Sequence, residues 1–381
     1  MITEYEVGDE KVFLLRRIIE VRIKKNVYER LRRRLSKEEI IQFSEEKRVL
    51  HHTTKRDLYY ITRESGIPLL GHAAFGLIDR GTNLIQVRPI TGCNLNCIFC
   101  SVDEGRKSRT KANDFIVDPD YLVEQFRKVA EFKGKGVEAH IDGQAEPFLY
   151  PYLPELVRGL KEVRETEVVS IQTNGTLLSE SLIDQLEGSL DRINLSVSSL
   201  NPERAEKIYG VRYPVEKVRR IAEYIADSRI DLLIAPVWLP GINDEDIREI
   251  IEFALDIGAG KRWPPLGIQK YIPYKGGRKV KRVISFKFFY EKLRELEREY
   301  GVKLVLSPKD FGIEKRRRYP SKIRKGEVYS AKIVVDGRGF GEKIAVVGDR
   351  VVTVLTDRDV GEHVRFRIVR AKDGIYLGEE V

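Results

Sequence analysis

Cys93, Cys97 and Cys100 are the only cysteines in this 381-residue chain, and they form a C-x3-C-x2-C triplet between Gly92 and Ser101. Three thiolates spaced so closely suit an iron–sulfur cluster better than a disulfide scheme. A four-iron cube with three protein ligands leaves one iron open to another molecule. The alternatives are weaker. A structural zinc site closes with a fourth Cys or His at short spacing, and the nearest histidines, His72 and His140, lie outside any finger or knuckle spacing. A ferredoxin-type site needs a fourth cysteine, and the chain has none.

The elements around the triplet read as repeated βα units. The run from Leu84 to Ile90 predicts a strand leading directly into the cysteine loop. Asp118 is the expected N-cap of a helix over residues 119–132, with Pro119 at its first position. Further strands are predicted at 137–141, 168–172, 192–197, 232–238 and 266–272, with helices between them. Asn243 is expected to cap the helix after the fifth strand. Ser285 starts a last helix, whose stripe of Phe286, Phe289, Leu293, Leu296 and Tyr300 is expected to face the core, and residues 302–306 are expected to add a strand. The alternation predicts an α/β fold with a parallel sheet and right-handed crossovers. Six units are too few for a full eight-stranded barrel, and in such layouts chemistry sits at the C-terminal ends of the strands.

With Phe99 just before its last cysteine, the triplet resembles that of the radical S-adenosylmethionine (radical SAM) superfamily. The resemblance implies a partial six-unit βα barrel, placed here at residues 81–310. It also implies a [4Fe–4S] cluster held by Cys93, Cys97 and Cys100, with SAM on the open iron. Cluster reduction, driven by an electron donor, would cleave SAM to a 5′-deoxyadenosyl radical that abstracts hydrogen. The segment Asp142-Gly-Gln-Ala-Glu-Pro-Phe148 is similar to the family's G-G-E-P segment, so Gly143, Ala145, Glu146 and Pro147 are expected to bind SAM, with Ala145 standing where glycine is usual. The Thr173-Asn-Gly175 turn follows the third strand, and Ser196 and Ser198 follow the fourth, where relatives hold the SAM ribose or carboxylate. Thr173, Asn174, Ser196 and Ser198 therefore complete the expected cofactor site. Pro240-Gly-Ile-Asn-Asp244 is a similar turn after the fifth strand. His140, Asp142, Gln172, Gln269, Lys270 and Tyr274 are the candidates near the open end for contact with substrate. No catalytic acid or base is expected, because a carbon radical needs none to abstract hydrogen.

Residues 1–80 read as a mainly helical region, with periodicity through Val12, Leu15, Ile19 and Val21 and a capping box at Ser36–Glu39. The adjacent His51 and His52 are expected to be solvated. The N-terminus lacks an apolar signal-peptide core and no run reaches the length of a membrane span, which predicts a cytoplasmic protein. Charged residues make up 33% of the chain, with one Met and three Cys, a pattern reported for heat-adapted proteins. The net charge of +9 favours an anionic partner. It is concentrated in a block from Arg22 to Arg34 and another from Lys315 to Lys325.

Residues 311–322 form a basic linker, and 323–381 read as five short strands with Gly- and Asp-rich turns, an OB-like all-β barrel. Gly326-Glu-Val-Tyr329, Gly339-Phe-Gly-Glu-Lys-Ile344 and the segment from Gly361 to Ile368 resemble a TRAM domain, an RNA-binding module of tRNA- and rRNA-modifying enzymes. Tyr329, Phe340, Phe366 and Tyr376 are its candidate stacking residues. Cluster barrel plus TRAM domain resembles the methylthiotransferases, but those carry a second three-cysteine cluster and this chain has no further cysteine. The reading that follows is a single-cluster radical SAM enzyme of archaeal type acting on RNA, with tRNA as the expected partner. The alternative is a protein or small-metabolite substrate, the OB-like domain serving to dock it.

Overall fold

The computed structural model describes residues 2–381. Its centre is a sheet in which Leu84–Arg88, Val137–Ile141, Thr166–Thr173, Arg192–Leu195 and Asp231–Ile234 run parallel side by side, with Gly76–Asp79 antiparallel on the outer edge. The strands are short β-branched runs, and the intervening helices bury one stripe each: Leu122, Phe126 and Val129 on Pro119–Lys133, and Val218, Ile221 and Ile225 on Val215–Asp227. Each such side chain contributes about 1.5–3 kcal/mol through burial. The sixth unit is reduced. Its strand is only Gln269–Lys270, paired with Val237–Trp238, and a single bridge from Leu266 to Ile234 joins it to the sheet. The sheet is thereby open on one side.

Several expectations are corrected. Residues 1–80 are not mainly helical: Ile2–Val7, Glu10–Leu15, Ile19–Lys24, Arg48–His51 and Asp57–Ile61 form an antiparallel sheet, with helices only at Lys25–Leu31 and Lys37–Phe43. The apparent helical period over Val12 to Val21 is broken by a turn at Arg16 and Arg17, both with positive φ, and the flanking strands pair across it. Asp57–Ile61 continues in parallel with Asn113–Val117, the sixth strand of this sheet, and a bridge between Ile116 and Ile90 ties it to the barrel. His51 is fully buried, and burial depresses its imidazole to about 4, so it stays neutral. Residues 302–306 form no strand, because the amides of Leu304 and Val305 donate to the Glu297 carboxylate instead. Asn243 does not cap its helix; its side chain ties the preceding loop to Ser198 and Val237.

The C-terminal strands Val328–Asp336, Glu342–Val347, Arg350–Leu355, His363–Lys372 and Ile375–Glu380 close into a five-stranded barrel. Ile333, Val352, Val354 and Phe366 fill it, whereas Val335, Ile344 and Val351 belong to the same buried cluster as the central sheet. At Gly71, φ is +121° and an added Cβ would stand 2.1 Å from the Val351 carbonyl oxygen, so glycine permits the two backbones to touch. No described helix is long and apolar enough to cross a membrane.

Candidate functional site

A cavity of about 510 Å³ opens at the C-terminal ends of the parallel strands, and Cys93, Cys97 and Cys100 line its wall. The cysteine loop is fixed from three sides. The amides of Asn96 and Ile98 donate to Tyr209 and Ile208 carbonyls on the helix Pro202–Tyr209. The side chain of Asn94 bridges Asn174 and Thr176 in the turn after the third strand. Arg278, from the segment after the sixth strand, donates to the Cys97 and Glu104 carbonyls at 3.0 and 2.6 Å and pairs with Asp103 at 2.8 Å. Gly277 beside it allows the close approach, since a Cβ there would meet the Cys100 and Ser101 carbonyls at 2.7 Å.

The thiols fit an iron–sulfur cluster. Burial pushes Cys97 up to about 12 and Cys93 well above its ordinary value, so neither is a free thiolate nucleophile, and deprotonation there calls for a bound metal. Backbone amides already point at sulfur, Leu95 at Cys93 (3.4 Å) and Glu104 at Cys100 (3.1 Å). Such N–H···S bonds orient cluster ligands and tune their potential. Among the described residues, no three His, Cys, Asp or Glu side chains converge as a single-ion site. The neighbouring wall is polar and incompletely paired. The Gln144 side-chain oxygen is buried without a partner, beside Gly143 and Ala145, as a site awaiting a donor such as the SAM ammonium.

Of the residues expected to bind SAM, Gly143, Ala145, Glu146, Thr173, Asn174 and Ser196 line the cavity. Glu146 acts locally as a clamp. Its carboxylate accepts from the Thr173 hydroxyl (2.7 Å) and the Asn174 and Phe148 amides (2.8 and 3.1 Å), while burial raises it to about 7 against those bonds. Pro147 and Ser198, also expected to bind SAM, do not line the cavity. Pro147 is packed into a 3-10 turn behind the wall. Ser198 is buried and its hydroxyl accepts from the Val237 amide, because the chain there turns away after a four-residue strand.

All six expected substrate-side residues, His140, Asp142, Gln172, Gln269, Lys270 and Tyr274, reach the same cavity. Asp142 is paired with Arg88 at 3.0 Å, and Gln172 donates to Ser196. His140 is held by a chain in which the Ser170 hydroxyl donates to Glu138 (2.6 Å) and faces His140 Nδ1 at 2.8 Å. Ser170 then accepts from Nδ1–H, and since burial depresses the imidazole below its ordinary value, His140, which lines the cavity, is neutral and keeps its lone pair on Nε2.

No local motif signals the buried network behind the cysteine loop. Arg56 and Arg338 together hold Glu104 and Asp114, with Arg56–Glu104 at 3.0 Å, Arg56–Asp114 at 2.9 Å and Arg338–Asp114 at 3.0 Å. Arg338 comes from the C-terminal barrel and is 2% exposed. Only the spatial folding of four distant segments brings these groups together.

This cluster-binding barrel defines a class: residues 87–254 match the radical SAM superfamily. The chain carries a radical SAM domain, whose cofactors are a [4Fe–4S] cluster and SAM, and belongs to one family with an uncharacterized protein of Methanocaldococcus jannaschii. The two are 46% identical over 369 residues, covering 90% of this chain and 85% of that one. A GTP 3′,8-cyclase of Chlorobaculum tepidum is 30% identical over 193 residues, and the match covers 50% of this chain and 55% of the cyclase, about half of each. Among solved structures, Streptococcus suis SuiB bound to S-adenosylmethionine superposes with a TM-score of 0.45 at 19% identity, over 64% of this chain and 51% of SuiB.

Proposed function

We propose that this radical SAM enzyme modifies RNA, with a tRNA nucleoside as its target. The observation that carries the reading is the outer face of the C-terminal barrel. Along His363–Lys372, Val364, Phe366 and Ile368 point inward while Arg365, Arg367 and Arg370 are exposed, a cationic row suited to a phosphate backbone. This barrel is read as a TRAM domain. Its stacking set is smaller than the sequence suggested: Phe366 and Tyr376 are buried in the core, leaving Phe340 (71% exposed) and the half-buried Tyr329.

Held by Cys93, Cys97 and Cys100, the cluster with SAM would supply radical hydrogen abstraction from an unactivated carbon. The chain supplies position and exclusion. Asn94, Asn174 and Arg278 hold the cysteine loop against its neighbours. Arg88 fixes Asp142 at the cavity wall, and His140 offers an acceptor to a nucleobase donor. A duplex base cannot reach this site, so the target must be unpaired or flipped.

The test is anaerobic turnover of the cluster-loaded protein with SAM, dithionite and bulk archaeal tRNA. The expected result is 5′-deoxyadenosine formation stimulated by tRNA, with a mass change at one nucleoside. Cleavage indifferent to RNA would move the substrate to the rival class. The similarity to GTP 3′,8-cyclases favours a free purine nucleotide as the first small molecule to try there.

A further inference from the structure

The segment from Gln269 to Tyr290 contains seven Lys and Arg and no Asp or Glu. It forms one rim of the cavity: Lys270 and Tyr274 line the opening, and Arg278 and Gly277 fasten the segment to the cysteine loop. Lys275, Lys279, Lys281 and Arg282 are exposed, and none of them forms an ion pair among the described residues.

Aromatic rings interleave with these charges. Tyr274 and Phe286 are 52% and 53% exposed, and Phe288 and Tyr290 are also open to solvent. Phe286 was expected in the core stripe of its helix, but it sits in the first turn and is exposed. There it stacks near Tyr290 (6.3 Å between centroids) and lies under the Lys270 ammonium at 4.6 Å. A group of exposed aromatic rings leaves apolar surface in water and marks an interaction site.

We infer that this rim docks single-stranded RNA, with bases stacked on Tyr274 and Phe286 and phosphates held by Lys279, Lys281 and Arg282. The inference rests on the RNA reading above and adds where the strand enters the cavity. An acidic peptide would satisfy the charges but leave the rings without partners, whereas every nucleobase offers a face to stack. The clamp through Arg278 means that a strand lying on the rim is held in fixed register with the cluster loop.

The test is fluorescence anisotropy of a labelled short oligouridine with the cluster-loaded full chain, at several salt concentrations. The variants are K279E/K281E/R282E, F286A and, on the barrel, R365E/R367E; iron content and the visible spectrum check that each is folded and loaded. Charge reversal on the rim is expected to weaken binding more than about tenfold and to make the log–log salt slope shallower by about two, from three lost phosphate contacts. F286A is expected to weaken binding about tenfold with the salt slope unchanged, since stacking releases no counterions. Wild-type affinity in both rim variants, with binding lost in the barrel variant, overturns the rim and leaves the RNA reading standing. A wild-type protein that binds polyglutamate and not oligouridine overturns both.

Discussion

Arg338, in the turn after the first strand of the C-terminal barrel, is ion-paired with Glu104, whose backbone amide donates to Cys100 Sγ at 3.1 Å. The barrel is therefore wired into the cluster loop through one buried side chain. Removing the whole barrel would also strip Glu104 and Asp114 of a cation, so truncation confounds RNA binding with cluster assembly.

The R338M variant isolates that link. It leaves two buried carboxylates sharing only Arg56, a loss of about 3–5 kcal/mol. Denaturant unfolding should show this loss, and the electron paramagnetic resonance spectrum of the reduced cluster should change as the Glu104 amide shifts. A spectrum identical to wild type would show that the network stabilises the fold without touching the cluster.

Arg278 makes the corresponding link on the other side of the loop, to Asp103 and to the Cys97 and Glu104 carbonyls. R278M should retain the fold and lose iron faster under a chelator, because the substitution frees the loop rather than the core. Equal rates of iron release in the two proteins would assign the loop's rigidity to Asn94 and the helix contacts alone.

Gly71 tests the seam between barrel and core. G71A places a methyl against the Val351 carbonyl in a backbone conformation that alanine resists. It should lower stability by about 1–3 kcal/mol. The loss should appear in thermal unfolding as earlier melting of the barrel; an unchanged melt would mean the seam yields without cost.

Acid should destabilise the protein in two windows. His51 and His72 are held neutral by burial, depressed from 6.5 to about 4 and about 3, so only the unfolded chain gains their protons as pH falls below 6.5. Stability from each is intact above that value and falls by about 2 kcal/mol by roughly pH 5. Glu20 follows: burial opposes but Lys55, His52 and Arg22 hold its carboxylate down, from 4.5 to about 2, so its stabilisation is present above 4.5 and lost as pH falls toward 2. Denaturant midpoints measured against pH should decline in both windows. The H72Q variant should show a shallower decline in the first, and an unchanged slope would remove His72 from the account.

Much of the central barrel was legible because its signals are local. A tight cysteine triplet, period-two apolar runs and Pro or Asp at helix starts are each written within a few residues, and the C-terminal strands announce themselves by glycine-punctuated alternation. The N-terminal sheet was misread because Val12, Leu15 and Ile19 satisfy a helical period by chance, while the turn at Arg16 and Arg17 that breaks it carries no glycine. Pro147 and Ser198 sat in the right motifs, but whether a side chain faces the cavity or the packing behind it depends on where the backbone turns.

The sequence alone determined the cysteine triplet, the order of the βα units and a surplus of positive charge. These follow from residue type, spacing and composition, which need no long-range contact to read. Only the tertiary structure decided that Arg56, Glu104, Asp114 and Arg338 meet in one buried network, that Arg278 clamps the cysteine loop, and that Phe286 faces solvent at the cavity mouth. Buried ion pairs require partners brought together from distant segments, and desolvation makes each dependent on the others. No local pattern encodes that dependence, so it becomes visible only when the chain is folded.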